Sequence, residues 1–157
     1  MKPDFHLSLG TEEFLAEYEA VFHGSPLYDN YFAEDDRLMC MLRDAIEARE
    51  LWVATNGPGG EIVGAIRVQM KGFFGGFPYL ALAGVKQNWR GRGAGHFLLA
   101  AFEEAARQQG FDKVSLMASS FNPRAIRLYR SFGYRKIGYL EDAFKKGIGE
   151  YIFVKRL

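Results

Sequence analysis

The sequence contains a single cysteine, Cys40, among its 157 residues. One cysteine excludes an intramolecular disulfide and a zinc site built from cysteines alone, and it favours a reducing, intracellular compartment. The longest apolar runs, such as residues 97–102, are far shorter than the roughly 18 residues that a membrane-spanning helix requires. The first ten residues also lack the hydrophobic stretch of a signal peptide. We therefore expect a cytoplasmic protein without a membrane partner.

Two further absences argue against particular kinds of binding site. No Gly-Lys pair occurs in the sequence, which excludes a P-loop nucleotide site of the Gly-Lys-Ser/Thr type. The three histidines, His6, His23 and His96, are too scattered to predict a metal site. Cys40 lies between methionines in an apolar helical stretch, so we predict a buried side chain rather than a nucleophile. We expect neither a metal nor covalent catalysis by cysteine.

What is present is typical of a globular protein with a large core. Apolar residues make up 48% and charged residues 25%, and the length predicts one domain over residues 1–157. Charge is divided along the chain: residues 1–70 carry 5 Lys/Arg and 13 Asp/Glu, whereas residues 71–157 carry 15 and 6. This division indicates either different partners for the two halves or solvated helix faces of opposite sign.

Hydrophobic periodicity predicts the fold class α/β (α+β). Period-2 and short apolar segments predict strands at about 5–9, 51–55, 62–70, 79–85, 114–118, 134–139 and 151–155. Helical spacing predicts helices at about 14–22, 36–49, 93–109 and 123–133, with residues 23–36 as a loop or broken helix. Hairpins imply antiparallel pairing, and a crossover helix implies a parallel pair. We expect a mixed, mostly antiparallel central sheet with a parallel central pair, flanked by about four helices.

The most informative segment is V-K-Q-N-W-R-G-R-G-A-G at residues 85–95. It places three glycines between a strand and a long helix, so backbone N–H groups can point into one concavity without obstruction by Cβ atoms. The start of the helix adds unpaired N–H groups and the positive end of the helix dipole, and Arg90 and Arg92 add full charges. The segment therefore predicts a phosphate-binding turn. It fits a dinucleotide fingerprint poorly, because His96 stands where the third glycine should be.

Two blocks in this sequence resemble the GNAT superfamily of N-acetyltransferases. Arg90-x-x-Gly93-x-Gly95 fits the [Gln/Arg]-x-x-Gly-x-[Gly/Ala] signature that this family uses for acetyl-coenzyme A. The second block, Asn122-Pro123-x-Ala125-x-x-Leu128-Tyr129-x-x-x-Gly133-Tyr134, is close to the family's Asn-x-x-Ala-x-x-x-Tyr-x-x-x-Gly-Phe. The likeness covers residues 51–157 well and the first 50 residues in element order only.

The resemblance implies a set of site residues. The turn would hold the pyrophosphate of acetyl-coenzyme A, the strand before it would lie beside the pantetheine arm, and Asn122 would contact the coenzyme. Tyr129 would be the general acid that protonates the departing thiolate. The implied cofactor-binding residues are thus Leu82, Ala83, Gly84, Val85, Arg90, Gly91, Arg92, Gly93, Ala94, Gly95, His96 and Asn122, with Tyr129 catalytic.

Simpler interpretations of some of these residues stay open. Tyr129 lies on one helical face with Ala125 and Leu128, which is also typical of a core tyrosine, and Asn122 is equally a helix N-cap. Several family members carry a carboxylate on the strand before the turn, but residues 79–85 contain none. The candidates for a general base elsewhere are Glu34, Asp35, Asp36, Glu141 and Asp142.

The leading hypothesis is an N-acetyltransferase that transfers an acetyl group directly from acetyl-coenzyme A to a primary amine in a ternary complex. The first alternative is a non-catalytic acyl-coenzyme A-binding domain of the same fold, and the second is an RNA-binding protein that uses the basic half. We expect no nucleic-acid partner. Acidic and aromatic residues in the loop 23–36 favour a cationic acceptor. The Phe73, Phe74 and Phe77 hairpin is either a patch for homodimer contact or a sheet edge.

Overall fold

A computed structural model describes residues 2–157 of the chain. Seven strands and five α-helices are found within these residues, in the order β1 (Phe5–Leu9), α1 (Leu15–Ala20), α2 (Pro26–Tyr31), α3 (Arg37–Glu47), β2 (Leu51–Asn56), β3 (Glu61–Phe73), β4 (Phe77–Val85), α4 (Ala94–Gln108), β5 (Lys113–Ser119), α5 (Pro123–Ser131), β6 (Arg135–Leu140) and β7 (Glu150–Arg156). Single turns of 3-10 helix cover Glu12–Phe14 and Gln87–Trp89.

The strands form one sheet in the order β1-β2-β3-β4-β5-β7-β6. Strands β4 and β5 are parallel, with Tyr79 opposite Ser115 and Leu80 opposite Leu116. The pairs β1–β2, β2–β3, β5–β7 and β6–β7 are antiparallel. The predicted mixed sheet with a parallel central pair is therefore confirmed.

Residues 23–36, predicted as a loop or broken helix, contain a short helix, α2. Pro26 stands at its first turn, where a missing N–H does no harm, and the Ser25 hydroxyl accepts a hydrogen bond from the Tyr28 N–H at 3.1 Å. These two residues explain why the chain can form a helix of only six residues here. Gly24 before this helix and Asn30 near its end are residues typical of loops, so the sequence alone did not distinguish the helix from a loop.

Contacts between residues group the chain into two compact units. Unit 1 comprises residues 1–68 and 82–102, and unit 2 comprises residues 69–81 and 103–157. The prediction of a single domain stays a prediction. The core of unit 1 includes Val21, Phe22, Leu42, Val53, Val63 and Leu98, all at or below 1% exposure.

Unit 2 has its own core and an ion pair beside it. Val114, Leu116 and Phe153 are almost fully buried on the neighbouring strands β5 and β7. The Lys155 ammonium donates to Oε1 of Glu103 at 2.6 Å, and the Glu103 side chain is only 4% exposed. A buried carboxylate needs such a partner, because its desolvation is otherwise costly.

The prediction of a buried Cys40 is wrong, since the side chain is exposed. Helix α3 packs its other face inward through Leu38, Leu42 and Ala45. Cys40 follows Leu38 by two residues, which is about 200° around an α-helix, so it points away from that face. Across residues 2–157, no helix combines the length and apolar character needed to cross a bilayer. The same residues include no group of three or more metal-ligating side chains placed around a common point.

Candidate active site

The glycine turn, defined here as residues 90–96, lies in unit 1 between the 3-10 helix Gln87–Trp89 and helix α4. Gly91 and Gly93 have φ angles of +77° and +97°, in the left-handed region that L side chains disfavour. The first intrahelical bond runs from the Phe97 N–H to the Gly93 carbonyl at 3.0 Å. The N–H groups of the first helical turn have no acceptor within the helix. The turn thus has the backbone geometry that anion binding requires.

The aromatic side chains beneath the turn hold it against β1. The Phe5 ring lies 6.3 Å from the Trp89 ring and 5.6 Å from the Phe97 ring, measured between centroids. The Arg92 guanidinium lies 4.8 Å from the centre of the Trp89 ring, while Arg92 itself is exposed to solvent. Because stacking leaves the hydrogen-bond donors of a guanidinium usable, Arg92 presents a positive charge at the turn.

Arg90 has a different environment. Its Nε donates to the Val85 carbonyl at 3.0 Å, its Nη1 to the Gly24 carbonyl at 3.0 Å and its Nη2 to the His23 carbonyl at 3.4 Å. The side chain therefore joins the end of β4 to the segment before α2 within unit 1. These hydrogen bonds to backbone carbonyls indicate that Arg90 stabilises the conformation of the turn.

The end of β4 is shaped by close packing. A Cβ atom on Gly84 would lie 2.5 Å from Cε1 of Phe22, so only glycine fits beneath that ring. Leu82 is buried, and Ala83, Gly84 and Val85 are partly exposed. The Lys86 N–H donates to the Val63 carbonyl at 2.8 Å. The Lys86 ammonium donates to Glu61 at 3.0 Å, and this hydrogen bond, followed by one from Trp89 and the charges of Lys86 and Arg92, lowers the pKa of that carboxyl.

Asn122 caps the start of α5 and Tyr129 lies within this helix, both in unit 2. Oδ1 of Asn122 accepts a hydrogen bond from the Ala125 N–H at 3.3 Å, and Pro123 opens the first turn, so the predicted N-cap is confirmed. Tyr129 is buried, with its ring centre 6.0 Å from Tyr134 and 6.5 Å from Phe153. Burial first, and the charge of Glu150 second, raise the pKa of Tyr129 to about 12. The phenol is therefore protonated at neutral pH.

Glu150 is a buried carboxylate that the sequence-based search for a base did not consider. This residue begins β7, is 4% exposed, and also contributes, after burial, to raising the pKa of Tyr79 to about 12. The candidates that the sequence did suggest are exposed: Glu34, Asp35, Asp36, Glu141 and Asp142. Asp35 pairs with Arg37 at 2.9 Å, and Asp142 accepts from the Gly147 N–H at 2.6 Å. No local pattern marks Glu150, since its burial depends on β5 and β6 lying on either side of β7.

The chain is similar to known acetyltransferases. A sequence model described as "Acetyltransferase (GNAT) family" matches residues 11–134. A curated acetyltransferase of Agrobacterium fabrum is 38% identical over 65 residues, which is 41% of this chain and 46% of that protein. The aligned part thus spans about half the length of the curated relative.

Solved structures share the fold over almost the whole chain. An acetyltransferase of the GNAT family from Bacillus cereus has a TM-score of 0.75 at 16% identity and covers 98% of this chain and 97% of its own. Arabidopsis thaliana Naa50, in complex with the bisubstrate analogue CoA-Ac-MVNAL, has a TM-score of 0.72 at 23% identity, with 98% and 99% covered. At these identities the likeness establishes the fold alone.

Proposed function

Because the chain belongs to the acetyltransferase (GNAT) family, we propose that it transfers an acetyl group from acetyl-coenzyme A to a primary amine by direct transfer in a ternary complex. The observation that carries the proposal is the glycine turn, with Gly91 and Gly93 in left-handed conformations ahead of α4. Coenzyme A carries a pyrophosphate and a 3′-phosphate, which are the anions that such a turn and helix start would bind.

Each site residue has a role in this proposal. The N–H groups of residues 91–96 and the charge of Arg92 would hold the phosphates, and Arg90 would keep the turn in shape. The pantetheine arm would lie along Leu82–Val85, where a backbone N–H would polarise the thioester carbonyl. Asn122 would contact the coenzyme while capping α5, and Tyr129 would donate its proton to the leaving thiolate.

Amine acceptors are the second half of the proposal. The analogue bound to Naa50 joins coenzyme A to an acetylated peptide, which supports peptide amino termini as one class to test. The acidic residues near α2 support cationic amines as another. Phe74 is 93% exposed, and Phe73 and Phe77 stack at 4.6 Å beside it, so we propose this hairpin tip as the contact in any homodimer. The single cysteine supports the cytoplasm as the compartment.

The test has two arms. Calorimetry measures acetyl-coenzyme A binding, and thiol release measures transfer to spermidine, tyramine, aspartate and the peptide Met-Val-Asn-Ala-Leu. Binding together with transfer to a cationic amine or the peptide supports the proposal. Tight coenzyme binding without transfer to any amine indicates the non-catalytic alternative, which the absence of a carboxylate in residues 79–85 favours. Salt-sensitive RNA binding without coenzyme binding would refute the proposal.

A further inference from the structure

His23 is a histidine for which the proposed function gives no role. It lies in unit 1, in the turn that follows α1, and its side chain is 53% exposed. The Nε2 atom of His23 lies 3.2 Å from Oε1 of Glu19, four residues earlier on α1. The His23 ring also lies 4.8 Å from the Tyr28 ring of α2, measured between centroids in an edge-to-face arrangement. These three side chains are called the His23 cluster.

The contact with Glu19 determines which ring nitrogen of His23 can take up a proton. An ionised carboxylate only accepts hydrogen bonds, so Nε2 donates its N–H to Glu19, and the lone pair of the neutral imidazole lies on Nδ1. A carboxylate in this position orients the ring and balances the charge of the imidazolium that forms when Nδ1 is protonated. Imidazole is the side chain that most readily gains and loses a proton near neutral pH. The arrangement therefore suits His23 to act as a base.

The backbone of His23 is fixed to the end of β4. Nη2 of Arg90 donates to the His23 carbonyl at 3.4 Å, and Nε of Arg90 donates to the Val85 carbonyl at 3.0 Å. Because one planar guanidinium binds both carbonyls, the two chain segments lie within its span of each other. The ring of Phe22, the preceding residue, covers Gly84. The backbone at His23 is therefore held beside the strand end along which the pantetheine arm is proposed to lie.

The charges around His23 suit a cationic acceptor. The groups that face it are the carboxylate of Glu19 on α1, the phenol ring of Tyr28 on α2 and the guanidinium of Arg90 in the glycine turn. Arg90 is bound to backbone carbonyls, whereas the Glu19 side chain is 26% exposed and Tyr28 is partly exposed. A carboxylate and an aromatic ring both attract ammonium groups. The cluster can thus attract a charged amine as well as accept its proton.

On the premise of the proposed function, we propose that Nδ1 of His23 accepts a proton from the acceptor amine and that Glu19 is a positioning residue that holds the imidazole for this transfer. The acceptors that fit are primary amines that arrive with a positive charge. Residues 79–85 contain no carboxylate that could take this proton, and His23 supplies the missing base from the N-terminal part of the chain.

The protons and electrons of the transfer balance. An amine that binds as R–NH3+ gives one proton to Nδ1 of His23, and its lone pair forms the C–N bond with the acetyl carbonyl carbon. The C–S bond breaks, and the thiolate takes the phenol proton of Tyr129, the donor in the proposed function. The acetylated nitrogen returns one proton to the Tyr129 phenolate and keeps one as the amide N–H. His23 releases its proton to solvent, so the net products are the amide, the free thiol and one proton.

A second histidine of unit 1 provides a matched control. Nε2 of His6 lies 3.0 Å from Oδ2 of Asp4, and the His6 side chain is 42% exposed. The pair has the same chemistry as His23 with Glu19 and a similar exposure, but it lies on and before β1. Neither His6 nor Asp4 has a role in the proposed function.

The decisive comparison is His23→Gln with His6→Gln. Each change removes the titratable ring from a pair of histidine and carboxylate. We expect His23→Gln to bind acetyl-coenzyme A like the wild type but to lose about 10²-fold in kcat/KM at pH 7 for the best of spermidine, tyramine and the peptide Met-Val-Asn-Ala-Leu. The loss should shrink about tenfold per pH unit as the pH approaches the amine's own pKa, because more of the acceptor then arrives neutral. His6→Gln should match the wild type throughout.

Glu19→Gln tests the positioning role. Glutamine can still accept the hydrogen bond from Nε2 but carries no charge, so the loss in kcat/KM should be smaller than in His23→Gln and should show the same pH dependence. Because Glu19 acts through His23, the double variant Glu19→Gln/His23→Gln should lose no more than His23→Gln alone. Additive losses, or a loss in Glu19→Gln that is equal at every pH, would show that Glu19 does not act through His23.

Three further outcomes would overturn the inference. Wild-type kcat/KM in His23→Gln, or an equal loss at every pH, shows that His23 is not the base while leaving the proposed function standing. If the wild type transfers to none of the three amines, the proposed function has failed and this inference fails with it. The pH profile of the wild type does not depend on how a variant folds. Its kcat/KM for tyramine should reach a plateau below pH 9, and a continued tenfold rise per pH unit toward the amine's pKa would refute a base.

Discussion

The Phe22 ring occupies the space that a side chain on Gly84 would need, with Cε1 only 2.5 Å from the position of a Cβ atom. Phe22 is 1% exposed and Gly84 lies near the end of β4. The aromatic ring after α1 therefore sets the residue type at a position that the family resemblance places beside the pantetheine arm.

This packing predicts the effect of Gly84→Ala. Overfilling a well-packed core usually costs about 1–3 kcal/mol, so the free energy of unfolding in urea should fall by about that amount. The double variant Phe22→Leu/Gly84→Ala should recover part of the loss relative to Gly84→Ala, because leucine leaves room for a methyl group. Equal stability of Gly84→Ala and the wild type would contradict the packing.

Gly93→Asp should weaken acetyl-coenzyme A binding. The change puts a side chain and a negative charge at a backbone with φ +97°, where phosphate is proposed to bind. A matched control is Gly110→Asp, because Gly110 has φ +85° just beyond α4 and a Cβ there would meet nothing within 4 Å. Both variants carry similar backbone strain, and calorimetry should find weaker binding only in Gly93→Asp. Equal affinities in the two folded variants would remove the turn from the coenzyme site.

Tyr129→Phe deletes one hydroxyl and keeps the ring packing. Loss of a general acid lowers turnover by about 10²–10⁴-fold, while acetyl-coenzyme A affinity should change little. Tyr134→Phe is the control, since Tyr134 is a buried tyrosine whose ring centre lies 6.0 Å from that of Tyr129. If both variants keep wild-type kcat under conditions where chemistry limits the rate, Tyr129 is a core residue and no more.

Alkaline pH should destabilise the protein through two phenols of unit 2, those of Tyr79 and Tyr129. Their pKa values are about 12 in the folded chain and about 10 in an unfolded one. Below pH 10 the two phenols are protonated in both the folded and the unfolded chain. Between pH 10 and 12 the unfolded state loses these protons first, so stability falls as pH rises. Urea unfolding at pH 9, 10 and 11 should show a shallower fall in Tyr79→Phe/Tyr129→Phe than in the wild type, and parallel falls would argue against the shifts.

The sequence predicted the helices and turns that depend on residues adjacent to one another in the chain. Helix α5 was predictable because Asn122 and Pro123 supply both a cap and a first-turn residue. The glycine turn was recognisable because three glycines stand close together between a strand and a long helix. The burial of Glu150 was not predictable, because a glutamate at the start of a strand is typical of an exposed position. Glu150 is buried because β7 lies between β5 and β6 in the sheet. Cys40 was misjudged because an apolar neighbourhood does not reveal which face of α3 is buried.

Strand β7 follows β6 in the chain but pairs between β5 and β6 in the sheet. A polypeptide synthesised only as far as residue 149 would leave an unpaired edge on β5 and on β6, the kind of edge that invites association with other chains. The strands of unit 2 that are synthesised before β7 would have an incomplete sheet until β7 emerges from the ribosome. During synthesis, unit 2 therefore remains prone to aggregation until β7 has paired with β5 and β6.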